Sequence, residues 1–515
     1  MSRPFVRLLA AALCGGVAAC AESGPAAPER AAPTFASQGQ GNDRSSLDLI
    51  EEDYASGLLD RNNANRYREY AVSSPDRLPS RYRSNAVGKD ATWSMLRLAL
   101  EWEQLSRSTQ QEILDLRGDG FGQLKDSVLT PHFALHYTTQ GSHAVPSQDA
   151  DGNGVSDFID AAAESWEVIW SREIDQLGYP APKGTPRQRF HVYYRHIPYY
   201  GYAVPENLGP CPGVSGGNVP CGTASGWIVI ENDFYGFPPN DEDRTGAETI
   251  RSGALKVTQA HEFMHASQFN INVYQSGWLF ESHATWAEDA VYDGINDWWW
   301  YVRRFLATPD FPIFSRFVYG AAFFQHYLSE TYGTDVTRQI WLAGRTRSTP
   351  DAVRDVAFGG SWELMKLFAP AEYRLGISDY TSDPASVIPV PSNVIRATHA
   401  TYPVSVQVAP SKANVDNRAP WGLGANFVDF LPAAGGGTIA VTFDGADGHA
   451  WRAFVVATAA RGGPPQVIEV ALNAASAGTV ALSHFGTRWS RVTLVPTIAD
   501  RPGAEVTFAY TATVQ

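Results

Sequence analysis

Residues 258–288 read TQAHEFMHASQFNINVYQSGWLFESHATWAE, and within this stretch His261-Glu262-Phe263-Met264-His265 has the form H-E-x-x-H. Residues four apart on a helix lie on one face, so both imidazoles can reach a single metal ion. Glu262 sits beside the first histidine, where it can act on a water at that ion. Zinc fits these donors, because it accepts nitrogen ligands, does no redox chemistry and brings a bound water's pKa down to about 7. A catalytic zinc also needs a third protein ligand. After the short loop 271–277, a second helical run places Glu281, Thr285 and Glu288 on one face at i, i+4 and i+7. Two helices packed side by side can bring His261, His265 and Glu281 to one point. His283 and Glu288 are the alternatives for the third ligand.

The run H-E-x-x-H followed by Trp278-Leu279-x-Glu281-x-x-Ala284-Thr285-Trp286 resembles the gluzincin zinc metallopeptidases, whose third ligand is a glutamate on the next helix. The likeness extends to a group of secreted bacterial metalloproteases common in myxobacteria. It is carried by HFALHYTTQGSHAVPSQDADGNGVSDFID (132–160), QLGYPAP (176–182) and WAEDAVYDGIND (286–297), and spans roughly residues 45–345. The resemblance implies zinc-dependent peptide-bond hydrolysis, with His261, His265 and Glu281 as ligands and Glu262 as general base. It also implies a small sheet ahead of the zinc helix, whose edge strand guides the substrate backbone, and a tyrosine or histidine that donates to the oxyanion. Tyr319 is the candidate for that role and His326 the alternative. Thermolysin-like members carry an acid where Thr285 stands, so a histidine must be oriented by another group, Glu288 or Asp289. Gln268 and Ile271 replace the glycine and third histidine of the metzincin pattern and exclude that class. The G-x-M-E-N motif of gluzincin aminopeptidases is absent, which favours an endopeptidase.

With 515 residues, the chain has room for two to four domains. Its net charge of −14 argues against nucleic acid or an anionic membrane as a main partner. The N-terminus, MSRPFVRLLAAALCGGVAAC, pairs two arginines with an apolar run too short to span a bilayer. Its end, Val17-Ala18-Ala19-Cys20, resembles a bacterial lipobox, which implies lipidation at Cys20; ordinary signal cleavage leaving a free thiol is the alternative. Residues 1–20 are therefore read as a lipoprotein-type signal and 21–45 as a flexible tether. Localisation follows as extracytoplasmic, either lipid-anchored to the bacterial outer membrane or secreted. Cys211 and Cys221 bracket a Pro/Gly-rich loop, and an oxidising compartment favours a disulfide between them.

Residues 46–128 read mostly helical, with Trp93, Leu96 and Leu100 on one side of a helix. Whether this region is an inhibitory pro-segment or a permanent packing layer is left open by the residues. Asp149, Asp151, Asn153, Val155 (through its carbonyl), Asp157 and Asp160 stand at positions 1, 3, 5, 7, 9 and 12 of a calcium-loop pattern, with Gly154 at 6. Strands are expected at 132–138, 189–195 and 226–233, the last being the better candidate for the substrate-guiding edge. The acidic stretch 240–248 reads as a solvated loop. His132, His136, His143, His191 and His196 read as structural. From about residue 397, alternating runs with glycine turns mark a β-sandwich.

The expected fold is thus α+β. A helical N-terminal region (46–128) is followed by a gluzincin-like catalytic domain (129–390) with a small sheet, zinc-binding helices and a calcium loop, and then by a β-sandwich accessory domain (397–515). The expected function is an extracytoplasmic zinc endopeptidase acting on peptide or protein, with Zn2+ and Ca2+ as cofactors and membrane contact only through Cys20. The rival reading is a catalytically inactive, calcium-stabilised adhesion or binding protein on a metalloprotease scaffold. Oligomeric state is not encoded in any motif.

Overall fold

The computed structural model describes residues 44–515 apart from 186, 238–246, 371–393, 411–418, 433–435, 464 and 501–503. The Cys20 lipidation site, the tether and most of the acidic stretch 240–248 lie outside the described residues. The fold is mixed α+β. Helices α1 (Ser46–Ala55), α2 (Arg61–Ser73), α3 (Thr92–Glu101) and α4 (Arg107–Phe121) form the N-terminal layer, interrupted by the short strand β1 (Gly88–Asp90). Strands β2 (Asp126–Leu129), β3 (Phe133–Tyr137), β4 (Phe190–Arg195), β5 (Tyr199–Pro210) and β6 (Gly222–Glu231) follow, with α5 (Asp157–Trp170) between β3 and β4.

These strands form a sheet of order β1-β5-β6-β4-β3-β2 among the described residues. β6 lies inside it, antiparallel to β5 and parallel to β4. The expectation that β6 is the substrate-guiding edge is therefore corrected: both of its ladders are occupied. The strand between β6 and the edge is β5. Its glycines and Pro205 are residues that strands disfavour, yet its first half is buried. The expected boundary at residue 128 also fails, because it falls within β2, which pairs with β3 from Asp126 to Leu129.

Side chains of β5 and β6 go to two different cores, in strict alternation along Trp227–Ile230 of β6. Tyr199, Tyr202, Val204, Trp227 and Val229 pack under the N-terminal helices. Tyr200, Ala203, Ile228 and Ile230 face α5 and the later helices. In the N-terminal layer Arg68 is fully buried, with bonds of 2.8 and 2.9 Å to the Glu51 carboxylate and 3.0 Å to Glu101. The helical region is thus one of two layers that enclose the sheet.

Two helices supply the expected site, α6 (Ala247–Phe269) and α7 (Gly277–Val291). Ser276 caps α7 by accepting from Leu279 N. The connecting loop is pinned by Asn272, whose side chain donates to the carbonyls of Pro220 and Gly344 and accepts from Gly222 N. The expected disulfide Cys211–Cys221 is present, with a Cα–Cα distance of 5.5 Å, at the end of the β5–β6 hairpin that rests on this loop. Helices α8 (Trp299–Leu306), α9 (Ala322–Tyr332), α10 (Asp335–Ala343) and α11 (Thr349–Ala357) complete the helical side.

The C-terminal part contains β7 (Ala397–His399), β8 (Val404–Val408), β9 (Val428–Phe430), β10 (Gly437–Gly445), β11 (Trp451–Ala459), β12 (Gln466–Glu469), β13 (Ala477–Phe485), β14 (Trp489–Ile498) and β15 (Phe508–Val514). Their connected order is β12-β11-β14-β13-β10-β15-β8, and the two limbs meet through the single register pair Phe485–Trp489. Ile439, Val441, Val455, Leu494 and Tyr510 from both limbs fill one core. Phe454, Val456 and Val495, on the opposite faces of β11 and β14, join the core of the helical part. Arg396 with Asp310 and Arg452 with Glu363 add ion pairs across this contact.

Candidate metal centre

Helix α7 is buried all round from Trp278 to Asp289, although six of those residues are Glu281, Ser282, His283, Thr285, Glu288 and Asp289. Polar groups taken out of water need partners or a ligand, and most of these have partners. Ser282 accepts from Gln325 Nε2 at 2.9 Å. Glu288 Oε1 lies 2.7 Å from His261 Nδ1 and its carboxylate takes a bond from Lys89 Nζ at 3.0 Å. His283 Nδ1 accepts from Gln268 Nε2 at 3.1 Å, and its Nε2 donates to Tyr179 at 2.7 Å. Both nitrogens of His283 are thereby engaged, which leaves it no lone pair for a metal. Glu288 is committed in the same way, and Glu281 is the carboxylate of α7 that points at the two histidines.

His261 Nε2 and His265 Nε2 lie 3.4 and 3.7 Å from Glu281 Oε2. The aspartate of β1, Asp90, completes a group in which one atom from each of Asp90, His261, His265 and Glu281 lies within 4.8 Å of the others. His261 Nε2, His265 Nε2, both Glu281 oxygens and Asp90 Oδ2 are buried without a hydrogen-bond partner. Five such atoms aimed at one point are costly unless a cation neutralises them. Two imidazole nitrogens with carboxylate oxygens form a donor set suited to zinc, so these residues fit the metal that the motif implies.

The outer contacts settle the tautomers. His261 donates from Nδ1 to Glu288, and His265 donates from Nδ1 to Gln268 Oε1 at 2.7 Å. Each ring therefore turns an Nε2 lone pair toward the centre. Beyond His265 the chain of bonds runs through Gln268, His283, Tyr179 and Thr337, with Tyr179 donating to Thr337 Oγ1 at 2.8 Å. Glu288, one of the two acids expected to orient a histidine, sits in that position. Asp289 instead accepts from Trp298 Nε1 at 3.2 Å.

Glu262 is 1% exposed. Its Oε2 accepts from Thr92 Oγ1 at 2.8 Å, while its Oε1 has no hydrogen-bond partner. β5 crosses close above it: a Cβ on Gly201 would stand 2.9 Å from Glu262 Cγ, so only glycine permits this approach. Burial, then the neighbouring Asp90 carboxyl, pushes the Glu262 acid well above the usual carboxylate range. Burial and then Glu281 raise Asp90 to about 6. Burial holds both His261 and His265 below their ordinary values. A divalent cation among these groups would favour their carboxylate and neutral imidazole forms.

Tyr319 places its ring 6.3 Å from the His261 ring, on the side of the centre formed by the helices after α7. Burial, then the Glu281 charge, pushes its hydroxyl well above the usual range. His326 stacks on Trp298 at 4.5 Å and lies 4.0 Å from Asp289. In the loop before α5, oxygens of Asp149, Asp151 and Asp157 come within 4.8 Å of one another. Asn153 Oδ1 accepts from Val155 N at 2.7 Å. Asp160 is outside that trio and accepts from Asn153 Nδ2 at 2.9 Å. Of the histidines read as structural, His136 and His191 bond each other at 2.8 Å, and His196 bonds Glu231 at 3.1 Å.

Asp90, Lys89, Thr92 and Gln268 were not marked by the sequence. Gln268 is one helical turn after His265 and was within reach of the i, i+3 rule. Asp90 carries only the signal of a helix start, since its Oδ1 accepts from Thr92 N at 2.7 Å.

Residues 227–463 match the model of a family of unknown function, DUF6055. The matched stretch holds α6 and α7 and runs into the C-terminal strands as far as β11. No curated protein matches the sequence. Among solved structures, 52% of the chain is similar to a family GH115 4-O-methyl-alpha-glucuronidase with specificity for decorated arabinogalactans, at 13% identity and a TM-score of 0.15. The similarity spans only 30% of that enzyme's length and is too slight to carry an argument about fold or activity.

Proposed function

We propose that this chain is a zinc-dependent hydrolase of peptide bonds, an endopeptidase that works outside the cytoplasm. The observation that carries the reading is the convergence of buried, unpartnered donor atoms of His261, His265 and Glu281 beside Glu262. Zinc held there supplies acidified water and polarisation of the scissile carbonyl. Glu262 Oε1 takes the proton of the attacking water as the new carbon–oxygen bond forms, then delivers it to the leaving nitrogen as the carbon–nitrogen bond breaks. Thr92 Oγ1 fixes the other oxygen of Glu262 for this transfer. Glu288 and Gln268 hold the two imidazoles in the metal-facing tautomer. Tyr319 is the donor proposed for the developing oxyanion.

The trio Asp149, Asp151 and Asp157 is proposed as a structural calcium site, completed by Asn153 and the Val155 carbonyl. Lipidation at Cys20 is proposed as the membrane anchor, and Cys20→Ser should then release the protein from membranes. The intact Glu262 speaks against the reading as a spent scaffold.

The test measures bound zinc and digestion of a peptide library with zinc in excess. Glu262→Gln should retain zinc near one per chain and lose turnover by several orders of magnitude. Glu281→Ala should lose the zinc itself. Digestion by Glu262→Gln at the wild-type rate, from a wild type that is active, would sink the hydrolase reading.

A further inference from the structure

A hydrolytic zinc keeps one coordination position open, yet here a fourth protein donor, the Asp90 carboxylate, stands at the centre. We infer that Asp90 is a metal ligand in the resting protein and that strand β1 is an internal plug, so that the chain as folded is latent. This rests on the zinc-hydrolase reading and concerns its regulation.

Three observations carry it. Asp90 Oδ2 is buried, receives no bond from a donor and faces the Glu262 carboxyl, and it belongs to the same group as His261, His265 and Glu281. β1 runs parallel to β5, with Gly88 opposite Tyr199 and Asp90 opposite Gly201. Ala91 N donates to Gly201 O at 3.3 Å, and Thr92 Oγ1 takes Ala203 N at 2.7 Å. Those β5 groups lie over Glu262, on the sheet edge where an extended peptide would add as a strand. β1 therefore takes the substrate's hydrogen bonds while Asp90 takes the place of the reacting water. The third observation is Lys89, whose side chain is 4% exposed and bonds both Glu288 and Asp297, at 3.0 and 2.5 Å. This latch ties the plug to the carboxylate that orients His261.

The moving piece is small. Helices α1 to α4 cover Tyr199, Tyr202, Val204, Trp227 and Val229, which makes release of the whole N-terminal layer costly. β1, in contrast, is three residues long and is preceded by a stretch in which Arg83, Asn85 and Val87 are exposed. Displacement of residues 83–91 alone would open the centre with both sheet faces still covered.

The test uses the full chain with Asp90→Ala and the isosteric Asp90→Asn, which preserves an acceptor for Thr92 N. Zinc affinity is measured by competition with a chelator, and coordination by the visible spectrum of the cobalt-loaded protein. Both variants should hold zinc at least about tenfold more weakly and should change the cobalt bands. With zinc in excess they should digest the peptide library at least about tenfold faster than wild type, and adding Glu262→Gln should abolish that gain. Competition curves and cobalt spectra equal to wild type would remove Asp90 from the ligand set. Weaker zinc together with slower digestion would make Asp90 a helper of the reaction and overturn the plug. The hydrolase reading fails separately, if wild type and Glu281→Ala take up equally little zinc.

Discussion

Glu288 Oε1 and His261 Nδ1 stand 2.7 Å apart, and the same carboxylate is held from its other side by Lys89. The pair spans two helices and gives His261 one tautomer. Burial lifts Glu288 to about 7 against the pull of Lys89, so its charge depends on the partners it has in the fold.

Glu288→Gln should therefore weaken zinc binding by about 10–100-fold, the usual cost of losing an orienting partner. Lys89 still has Asp297, and the fold should survive. Chelator competition beside a thermal melt checks this; an unaltered affinity would mean that His261 needs no carboxylate behind it.

In the Asp149, Asp151 and Asp157 trio the first two are exposed and Asp157 is half-buried, and their charges are packed together. Removing calcium with a chelator that spares zinc should lower the melting temperature, because a ligand bound only to the folded state stabilises it. Asp151→Ala should start lower and respond little to added calcium. Superimposable wild-type melts with and without calcium would dismiss the site.

Glu173, just after α5, is fully buried, and neither carboxylate oxygen has a hydrogen-bond partner. Burial alone holds its pKa well above that of an ordinary glutamic acid. A carboxyl raised in the folded state binds its proton there more tightly than in the unfolded chain. Its contribution must then fall as pH climbs from the unfolded value near 4.5 toward the folded one. Glu173→Gln should remove that slope and melt higher than wild type at pH 8, with the gap closing toward pH 5. A gap that does not vary with pH would show that Glu173 is not protonated in the fold.

What could be read from the chain was local. His261, Glu262 and His265 share one helical face, and Glu281 with Glu288 follows from the same periodicity on the next helix. The disulfide closes a loop short enough to see in sequence. Asp90 could not be found this way, because strand pairing across the sheet brings it to the centre and no periodic pattern spans that distance. β5 was hidden by composition: Gly201, Pro205 and Gly209 are turn-friendly residues, and the burial of its first half overrides that preference. The Ala453–Ala457 run did carry an unused signal. It is apolar without alternation, as a strand buried on both sides must be.

That run has a consequence for the protein's history as well as its handling. Ala453, Val455 and Ala457 face one core, while Phe454 and Val456 face the other. The C-terminal strands and the helices before them cannot be traded between proteins like beads on a string. A recombination or a nick near residue 396 would leave each piece with an oily flank and a tendency to self-associate. The smallest portion that can be secreted, refolded or inherited intact must contain both.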